Sequence, residues 1–131
     1  MKDLIFSVFL CLVQAGCAGV AGGGGTTQTA PDTTKSGEPT QIKLELTVWG
    51  SGGPIKSRYT DVLGYYRLAG EQNYKSTVPK LESQTEDREV YNFTIPAYAK
   101  GTTGEIEYYF EFKFDSQPRR INGTKKIKLL L

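Results

Sequence analysis

The sequence predicts an all-β fold for residues 41–131, an antiparallel β-sandwich of about seven strands. Three observations lead to this prediction. Apolar and polar residues alternate at a period of two, clusters of Gly, Pro, Asn and Ser separate the alternating segments, and no long segment shows the 3.6-residue period of a helix. We therefore expect helices to be absent or very short. A small closed barrel is the alternative arrangement of such strands.

The clearest alternation lies in the segment EIEYYFEFKFD, residues 105–115. Its apolar residues at every second position are Ile106, Tyr108, Phe110, Phe112 and Phe114. Mostly charged residues lie between them. Because successive side chains of a strand point to opposite faces, this pattern predicts a long strand with one buried face.

Five further segments show strand character. IKLELTVW (residues 42–49) alternates in the same way, and VYNFTIP (90–96) stops at a proline, which cannot donate to a strand ladder. VLGYYRL (62–68), NYKSTVP (73–79) and KKIKLLL (125–131) provide the others. These strands are enough for one small domain.

The chain before residue 41 has two segments of different character. The mostly apolar run Leu4–Val13 has the length of a signal-peptide h-region and is too short to cross a bilayer, so we assign residues 1–16 to a signal peptide. Residues 17–40 are rich in Gly and Thr and almost free of apolar side chains. This composition is typical of a disordered, flexible linker.

The motif Ala15-Gly16-Cys17 after this apolar run resembles the lipobox of bacterial lipoproteins. The resemblance implies that Cys17 is diacylated on sulfur, becomes the new N-terminus and anchors the protein in a membrane. No cysteine follows Cys17 and the chain has no histidine, so neither a disulfide within the domain nor a Cys/His metal site is available to it. Gln14 stands where the family usually has Leu, so cleavage by an ordinary signal peptidase near Cys17 to Ala21 is the alternative, with a secreted or periplasmic product.

The residue after the cysteine bears on the destination. In enterobacterial lipoproteins, Asp at this position retains the protein at the inner membrane, whereas this chain has Ala18. The resemblance therefore implies an outer-membrane location in the cell envelope.

A second resemblance covers residues 62–115 and concerns the fibronectin type III-like or immunoglobulin-like modules of bacterial surface proteins. The shared features are a Tyr-Arg strand, a Gly turn, a strand ending in Val-Pro, an aromatic strand ending in Ile-Pro-Ala, and Glu-Tyr-Tyr in the next strand. They correspond to Tyr66-Arg67, Gly70, Val78-Pro79, Phe93-Thr94-Ile95-Pro96-Ala97 and Glu107-Tyr108-Tyr109. The resemblance implies a single immunoglobulin-like sandwich and says little about activity.

The chain departs from these modules after residue 113. The family's Gly-rich turn is replaced by the basic segment FDSQPRRINGTKK, residues 114–126. We expect this segment to form either a bent edge strand or a hairpin with its turn at Asn122-Gly123.

The residue inventory argues against catalysis and cofactors. The formal net charge of +2 gives no electrostatic case for nucleic acid. The absence of histidine excludes Ser-His-Asp triads, Cys-His pairs and His-ligated zinc. Glu105, Glu107 and Glu111 share a strand face, but nothing in the pattern desolvates one of them to make an acid/base pair. The acidic segment SQTEDRE, residues 83–89, matches no calcium loop.

Aromatic residues outside the predicted core are the first binding candidates. They are Trp49, Tyr65, Tyr74, Tyr98 and Tyr109. Sugars and peptides stack on such rings. The alternative is that these rings pair with one another across neighbouring strands.

Basic residues near the C-terminus are the second candidates. They are Arg119, Arg120, Lys125, Lys126 and Lys128. Such a group can contact anionic lipid headgroups, lipopolysaccharide or an acidic polymer. The alternative is protection of a sheet edge against aggregation.

These observations predict a cell-envelope lipoprotein, not an enzyme, whose sandwich is a binding or structural module at the membrane surface. Its partners are expected to be the membrane, through the lipid on Cys17, and an envelope protein or polysaccharide. Two alternatives are a carbohydrate-binding module that serves a separate enzyme and an accessory subunit of an envelope complex.

Overall fold

The computed structural model describes residues 22–50, 53–122 and 126–131, and these are almost entirely β. In chain order the elements are β1 (Gly22–Thr29), β2 (Thr33–Lys35), β3 (Thr40–Gly50), α1 (Ile55–Arg58), β4 (Tyr59–Leu68), β5 (Lys75–Thr77), β6 (Lys80–Gln84), β7 (Arg88–Ile95), β8 (Gly104–Phe114), β9 (Gln117–Asn122) and β10 (Ile127–Leu130). The prediction of an all-β chain with very short helices is confirmed for this part of the chain. The strands described are ten, more than the seven predicted.

The strands form two sheets. The first has four strands in the order β1-β3-β7-β6. The second has six strands, with the path β2-β10-β8-β4-β5 and with β9 also paired to β8. All pairings are antiparallel except the parallel pairing of β2 with β10.

The inward faces of the two sheets meet in one core, which confirms the antiparallel sandwich. The alternation in β3, β7 and β8 decides which side chains are inside. The fully buried residues include Ile42, Leu44, Leu46, Phe93, Ile95, Ile106 and Phe110. Phe93 of the first sheet packs edge-on against Phe110 of the second, with ring centroids 5.1 Å apart. Removing each such aromatic side chain from water stabilises the fold by about 1.5–3 kcal/mol.

The prediction of a disordered linker is wrong for residues 22–40. Strand β1 pairs with β3 along its full length, from Gly22 opposite Gly50 to Thr29 opposite Lys43. Strand β2 then crosses to the other sheet and pairs with β10. The folded part therefore begins at or before residue 22, well before the predicted boundary at residue 41.

The glycines of β1 make room for aromatic side chains. A Cβ atom added at Gly24 would lie 2.5 Å from the Tyr59 hydroxyl and 2.9 Å from Cζ of Phe114. The Tyr59 hydroxyl in turn lies 3.2 Å from the carbonyl oxygen of Gly25 and 3.1 Å from that of Thr47, so it links the two sheets. Composition suggested flexibility here because glycine-rich segments without apolar residues resemble linkers.

The predicted hairpin turn at Asn122-Gly123 is also wrong. The chain reverses earlier, at Asp115 and Ser116, whose φ values of 50° and 66° fit a two-residue type I′ turn between β8 and β9. Asn122 lies within β9 opposite Tyr109. Since β9 and β10 both run antiparallel to β8, the two strands run in the same direction. The predicted alternative, an edge strand, is the one that forms.

An ion pair holds this turn against the helix α1. Arg58 is buried, and its Nε and Nη2 donate to the Asp115 carboxylate at 2.5 and 2.8 Å. The guanidinium carbon also lies 4.8 Å from the centroid of the Phe114 ring. The pair therefore ties residues from two distant parts of the chain at one end of the sandwich.

Several predicted features lie outside the described residues. These are the signal peptide, Cys17 and the first residues of the predicted linker, together with Gly123 and Lys125. Nowhere in the described ranges is there a helix with the length and apolarity needed to cross a membrane.

Candidate functional site

The five predicted aromatic residues do not form one row. Trp49 lies on the outer face of the four-stranded sheet, since it follows the buried positions of β3 by one residue. Tyr65, Tyr74 and Tyr109 cluster on the outer face of the other sheet. Tyr98 packs against the core. The sandwich therefore presents two separate aromatic surfaces on opposite sides.

Trp49 lies flat on the glycines of β1. Its side chain is 58% exposed. A Cβ atom added at Gly23 would lie 2.9, 3.1 and 3.2 Å from three indole atoms, and one added at Gly25 would lie 3.4 Å from indole Cζ3. The indole therefore packs closely over Gly23 and Gly25 of β1 while more than half of the residue stays exposed.

Polar side chains lie along the same face, two to four residues from Trp49 in register. Thr47, two residues earlier in β3, lies between Gly25 of β1 and Arg88 of β7. Arg88 pairs with Glu45, and the two side chains are 52% and 33% exposed. The Thr47 hydroxyl donates to the carbonyl oxygen of Gly25 at 3.3 Å.

The tyrosine cluster is built differently, because its rings cover one another. Tyr65 and Tyr109 are cross-strand partners in β4 and β8, stacked with centroids 4.6 Å apart and planes at 10°. Tyr74 meets Tyr109 edge-on at 4.8 Å. A hydrogen bond with Glu111 raises the pKa of Tyr65, and burial raises the pKa of Tyr109.

Two arginines each cover one further ring of this cluster. The Arg120 guanidinium lies 3.9 Å from the Tyr109 centroid, and the Arg67 guanidinium lies 4.2 Å from the Tyr74 centroid. Because β4 and β9 flank β8 on opposite sides, Tyr65 and Arg120 cover opposite faces of Tyr109. Such cation–π contacts contribute about 0.5–1 kcal/mol each at exposed sites. This cluster therefore stabilises the sheet and leaves no free face of Tyr109 for a ligand.

Tyr98 lies at the end of the core. Burial raises its pKa to about 12. Its hydroxyl is buried without a hydrogen-bond partner in the described chain, and the Lys75 ammonium lies 6.0 Å from its ring centroid. This placement differs from that of a surface-stacking residue.

The predicted basic group is mixed with carboxylates. Lys126 lies 3.1 Å from Glu107 and 3.8 Å from Glu105. Arg119 is exposed on β9, where its guanidinium donates to the carbonyl oxygen of Pro118 at 3.1 Å. Since β9 is an outer strand, this arrangement favours edge protection.

The strand carboxylates form a charge network. Arg67 Nε donates to Glu107 at 2.8 Å. The hydrogen bonds from Arg67 and Lys126 lower the pKa of Glu107. A general acid needs a raised carboxyl pKa, so the shift has the wrong direction for that role.

The described ranges, including residues 83–89, hold no group of three or more His, Cys, Asp and Glu side chains placed to bind a metal. A shallow depression of about 360 Å³ lies beside β9 and is lined by both acidic and basic residues, among them Asp61, Lys113 and Arg119. Asp61 adopts φ 55° at a bulge in β4, and its carboxylate lies 3.5 Å from Lys113. The charges of Asp61 and Lys113 therefore offset each other within this depression.

Sequence reasoning missed the residues that complete the Trp49 surface. Gly23 and Gly25 contact the indole, and Glu45 and Arg88 lie further along the same face. The alternation of β3 placed Glu45 on the same face as Trp49, but the pairing with β1 and β7 was not available from the sequence. Comparison with protein-family models gives no match, and comparison with curated proteins gives none.

Proposed function

We propose that this protein is a non-catalytic binding module of a bacterial cell envelope, anchored to a membrane by lipid on Cys17. The anchor rests on the sequence alone, through the lipobox-like Ala15-Gly16-Cys17 and the apolar run before it. With Ala18 next to the cysteine, the expected destination is the outer membrane. Because β1 begins at Gly22, five residues after Cys17, the folded domain would lie close to the membrane surface.

We also propose that the sandwich is immunoglobulin-like, and the strand order supports this. The order β1-β3-β7-β6 corresponds to strands A-B-E-D of that fold, and β10-β8-β4 corresponds to G-F-C. Strand β5, beyond β4, takes the place of the additional C′ strand of variable-type domains. The fold itself implies no particular activity.

The observation that carries the binding function is the exposed indole of Trp49. Leaving an indole more than half exposed forgoes the stabilisation that burial would give, about 25 cal/mol per Å² of apolar surface. A ligand that covers the ring recovers that stabilisation. Exposed aromatic side chains of this kind are typical of recognition surfaces.

The accessory-subunit alternative is favoured by a different observation. Strand β1 is at the edge of its sheet, and its sequence GGGGTTQT contains no charge and no proline. Edges without such protection are available for pairing with a strand of another protein.

The anchoring half of the proposal is tested by mass spectrometry of the mature N-terminus. We expect a terminal Cys17 carrying acyl chains, with the protein in the membrane fraction. Two acyl chains bury enough methylenes, at about 0.8 kcal/mol each, for stable anchoring. Cys17→Ala should abolish lipid labelling and release a folded domain.

Cys11→Ala is the matched control, because Cys11 lies within the predicted signal peptide and should be absent from the mature protein. This variant should remain lipidated. An unmodified N-terminus at Ala18 or Gly22 in the wild type would refute the anchor and leave a secreted binding domain.

A further inference from the structure

We propose that the outer face of the four-stranded sheet binds a neutral polysaccharide, with one sugar ring stacked on Trp49. This inference deepens the proposed binding function by naming the ligand class. It is independent of Cys17, because the surface lies entirely within the described domain.

The position of the indole suits a sugar. Pyranose rings present C–H groups on their faces, and these groups pack on flat aromatic rings while the hydroxyls stay at the periphery. More than half of Trp49 is exposed, and the contacts with Gly23 and Gly25 place the ring close to the backbone of β1. A chain of sugars that stacks on this ring can therefore continue along the surface of the sheet without bending away from it.

Side chains that can hydrogen-bond sugar hydroxyls lie further along the same face. Glu45 accepts hydrogen bonds and Arg88 donates them, and both stay partly exposed while paired with each other. They lie on the same face as Trp49, two to four residues from it in register, with Thr47 between. Pairing fixes these side chains in advance, which lowers the entropy cost of binding.

The polar surface continues along β3 and β7 away from Trp49. At its far end, the Gln41 side-chain oxygen accepts from Asn92 Nδ2 at 2.5 Å and from the Thr94 hydroxyl at 2.8 Å. From Gln41 to Trp49 the strand extends about 27 Å at 3.4 Å per residue, long enough for several sugar units. The surface is therefore suited to a polymer rather than to a single sugar.

Charge on this face favours a neutral ligand. Lys43 pairs with Glu82 at 2.5 Å, and Arg88 pairs with Glu45. Because each of these cations already has a carboxylate partner, the face offers little attraction to a polyanion.

A protein partner fits this surface less well. Stable protein interfaces centre on several buried apolar side chains within a patch. Trp49 is the one exposed large hydrophobic residue on the described part of this face. Apart from the half-buried Val90, the other side chains toward Gln41 are threonines, amides and ion pairs. One aromatic ring with polar side chains along the same face suits a sugar, which is apolar on its ring faces and polar at its periphery.

Trp49 is the only tryptophan, so the intrinsic fluorescence of the full-length protein reports on this site directly. The probes are cellohexaose and chitohexaose, with heparin and anionic phosphatidylglycerol vesicles as comparators. We expect at least one neutral hexasaccharide to shift and saturate the emission, while heparin and the vesicles leave it unchanged. In calorimetry, Trp49→Ala should weaken hexasaccharide binding at least about tenfold, and Trp49→Phe should weaken it less.

Tyr74→Ala is the matched control, because it removes an aromatic ring from the opposite side of the sandwich and should leave binding unchanged. The proposal would be overturned if neither sugar changed the emission. It would also be overturned if the vesicles changed the emission, or if the emission changed with protein concentration alone. Equal binding of the hexasaccharide by wild type, Trp49→Phe and Trp49→Ala would overturn it as well. Lipidation of Cys17 is measured separately. A failure of sugar binding therefore leaves the anchor proposal standing, and an unmodified N-terminus leaves the sugar-binding proposal standing.

Discussion

Glycine at single positions decides how aromatic rings fit in this protein. A Cβ atom added at Gly64 in β4 would lie 2.4 Å from Cε1 of Phe93, across the interface between the sheets. That distance is far below ordinary contact, and both neighbours are in the centre of the core. Gly64 therefore sets the distance between the sheets at this point.

We expect Gly64→Ala to destabilise the protein by about 1–3 kcal/mol, the usual cost of overpacking a core. Urea unfolding followed by circular dichroism measures the change. Phe93→Leu in the same chain should recover part of the loss, because the two substitutions share one contact. Thr60→Ala, at an exposed position of the same strand, is the control and should change stability by less than about 0.5 kcal/mol. Equal losses for Gly64→Ala and Thr60→Ala would contradict the close contact.

The sequence predicted the large core residues but not the glycines that accommodate them. Ile42, Leu44 and Phe110 follow from alternation, because a strand with one buried face repeats every two residues. Gly64 and Gly24 have no side chain to mark which face they occupy. Their role depends on an aromatic ring that packs against them from another strand. Which ring does so is decided by the fold and cannot be read from the local sequence.

At the scale of elements, β1 is the strand whose prediction failed. Its eight residues contain four glycines and no apolar side chain, so neither alternation nor strand propensity marks it. Its stability comes from pairing with β3 and from the aromatic residues that pack over its backbone, Trp49 outside and Tyr59 inside. Long-range contacts of this type are absent from local sequence patterns.

We expect limited proteolysis of the full-length protein to yield a protected fragment that starts near Gly22. A chain that begins at Thr40 should unfold at a lower temperature than one that begins at Gly22, because it loses β1 and β2 and leaves the Tyr59 hydroxyl without its Gly25 partner. The Tyr59 hydroxyl keeps the Thr47 carbonyl as a partner, so the main loss is the set of backbone hydrogen bonds between β1 and β3, each worth about 0.5–1.5 kcal/mol. Thermal unfolding of both chains measures the difference. Protection that begins only near Gln41, with equal unfolding temperatures, would restore the linker interpretation.

At the scale of the whole molecule, the local sequence pattern was sufficient to predict the fold class but not to predict the candidate site. The sandwich follows from repeated burial of every second residue, a signal spread over many positions. The Trp49 surface instead combines single residues from β1, β3 and β7, and only the pairing of these strands places Gly23 opposite Trp49 and Arg88 opposite Thr47. The tyrosines seemed equivalent to Trp49 in sequence, yet two of them stack on each other.

The ion pair between Arg58 and Asp115 makes the stability of the whole sandwich depend on pH. Hydrogen bonds from Arg58 lower the pKa of Asp115 in the folded state. The unfolded value is about 3.9, so near and below that pH the unfolded state binds more protons at this residue than the folded state does. The stabilisation is therefore fully present above about pH 4 and is lost as the pH falls through the lowered pKa of the folded state.

Asp115→Asn should remove this dependence while keeping the turn, because Asn also tolerates the positive φ of 50° found at this position. The substitution leaves the buried Arg58 without its carboxylate, which costs about 3–5 kcal/mol for a fully buried pair. Since the Asp115 side chain is 48% exposed, we expect a loss of stability of roughly 1–3 kcal/mol at pH 7 after screening.

Asp61→Asn is the matched control. Asp61 also has a positive φ, of 55°, and its exposed pair with Lys113 should contribute little to stability. Urea midpoints measured from pH 7 to pH 2 should fall less steeply on acidification for Asp115→Asn than for wild type or Asp61→Asn, because the variant has already lost the contribution that acid removes. Parallel curves for all three proteins would show that this pair does not link proton binding to folding.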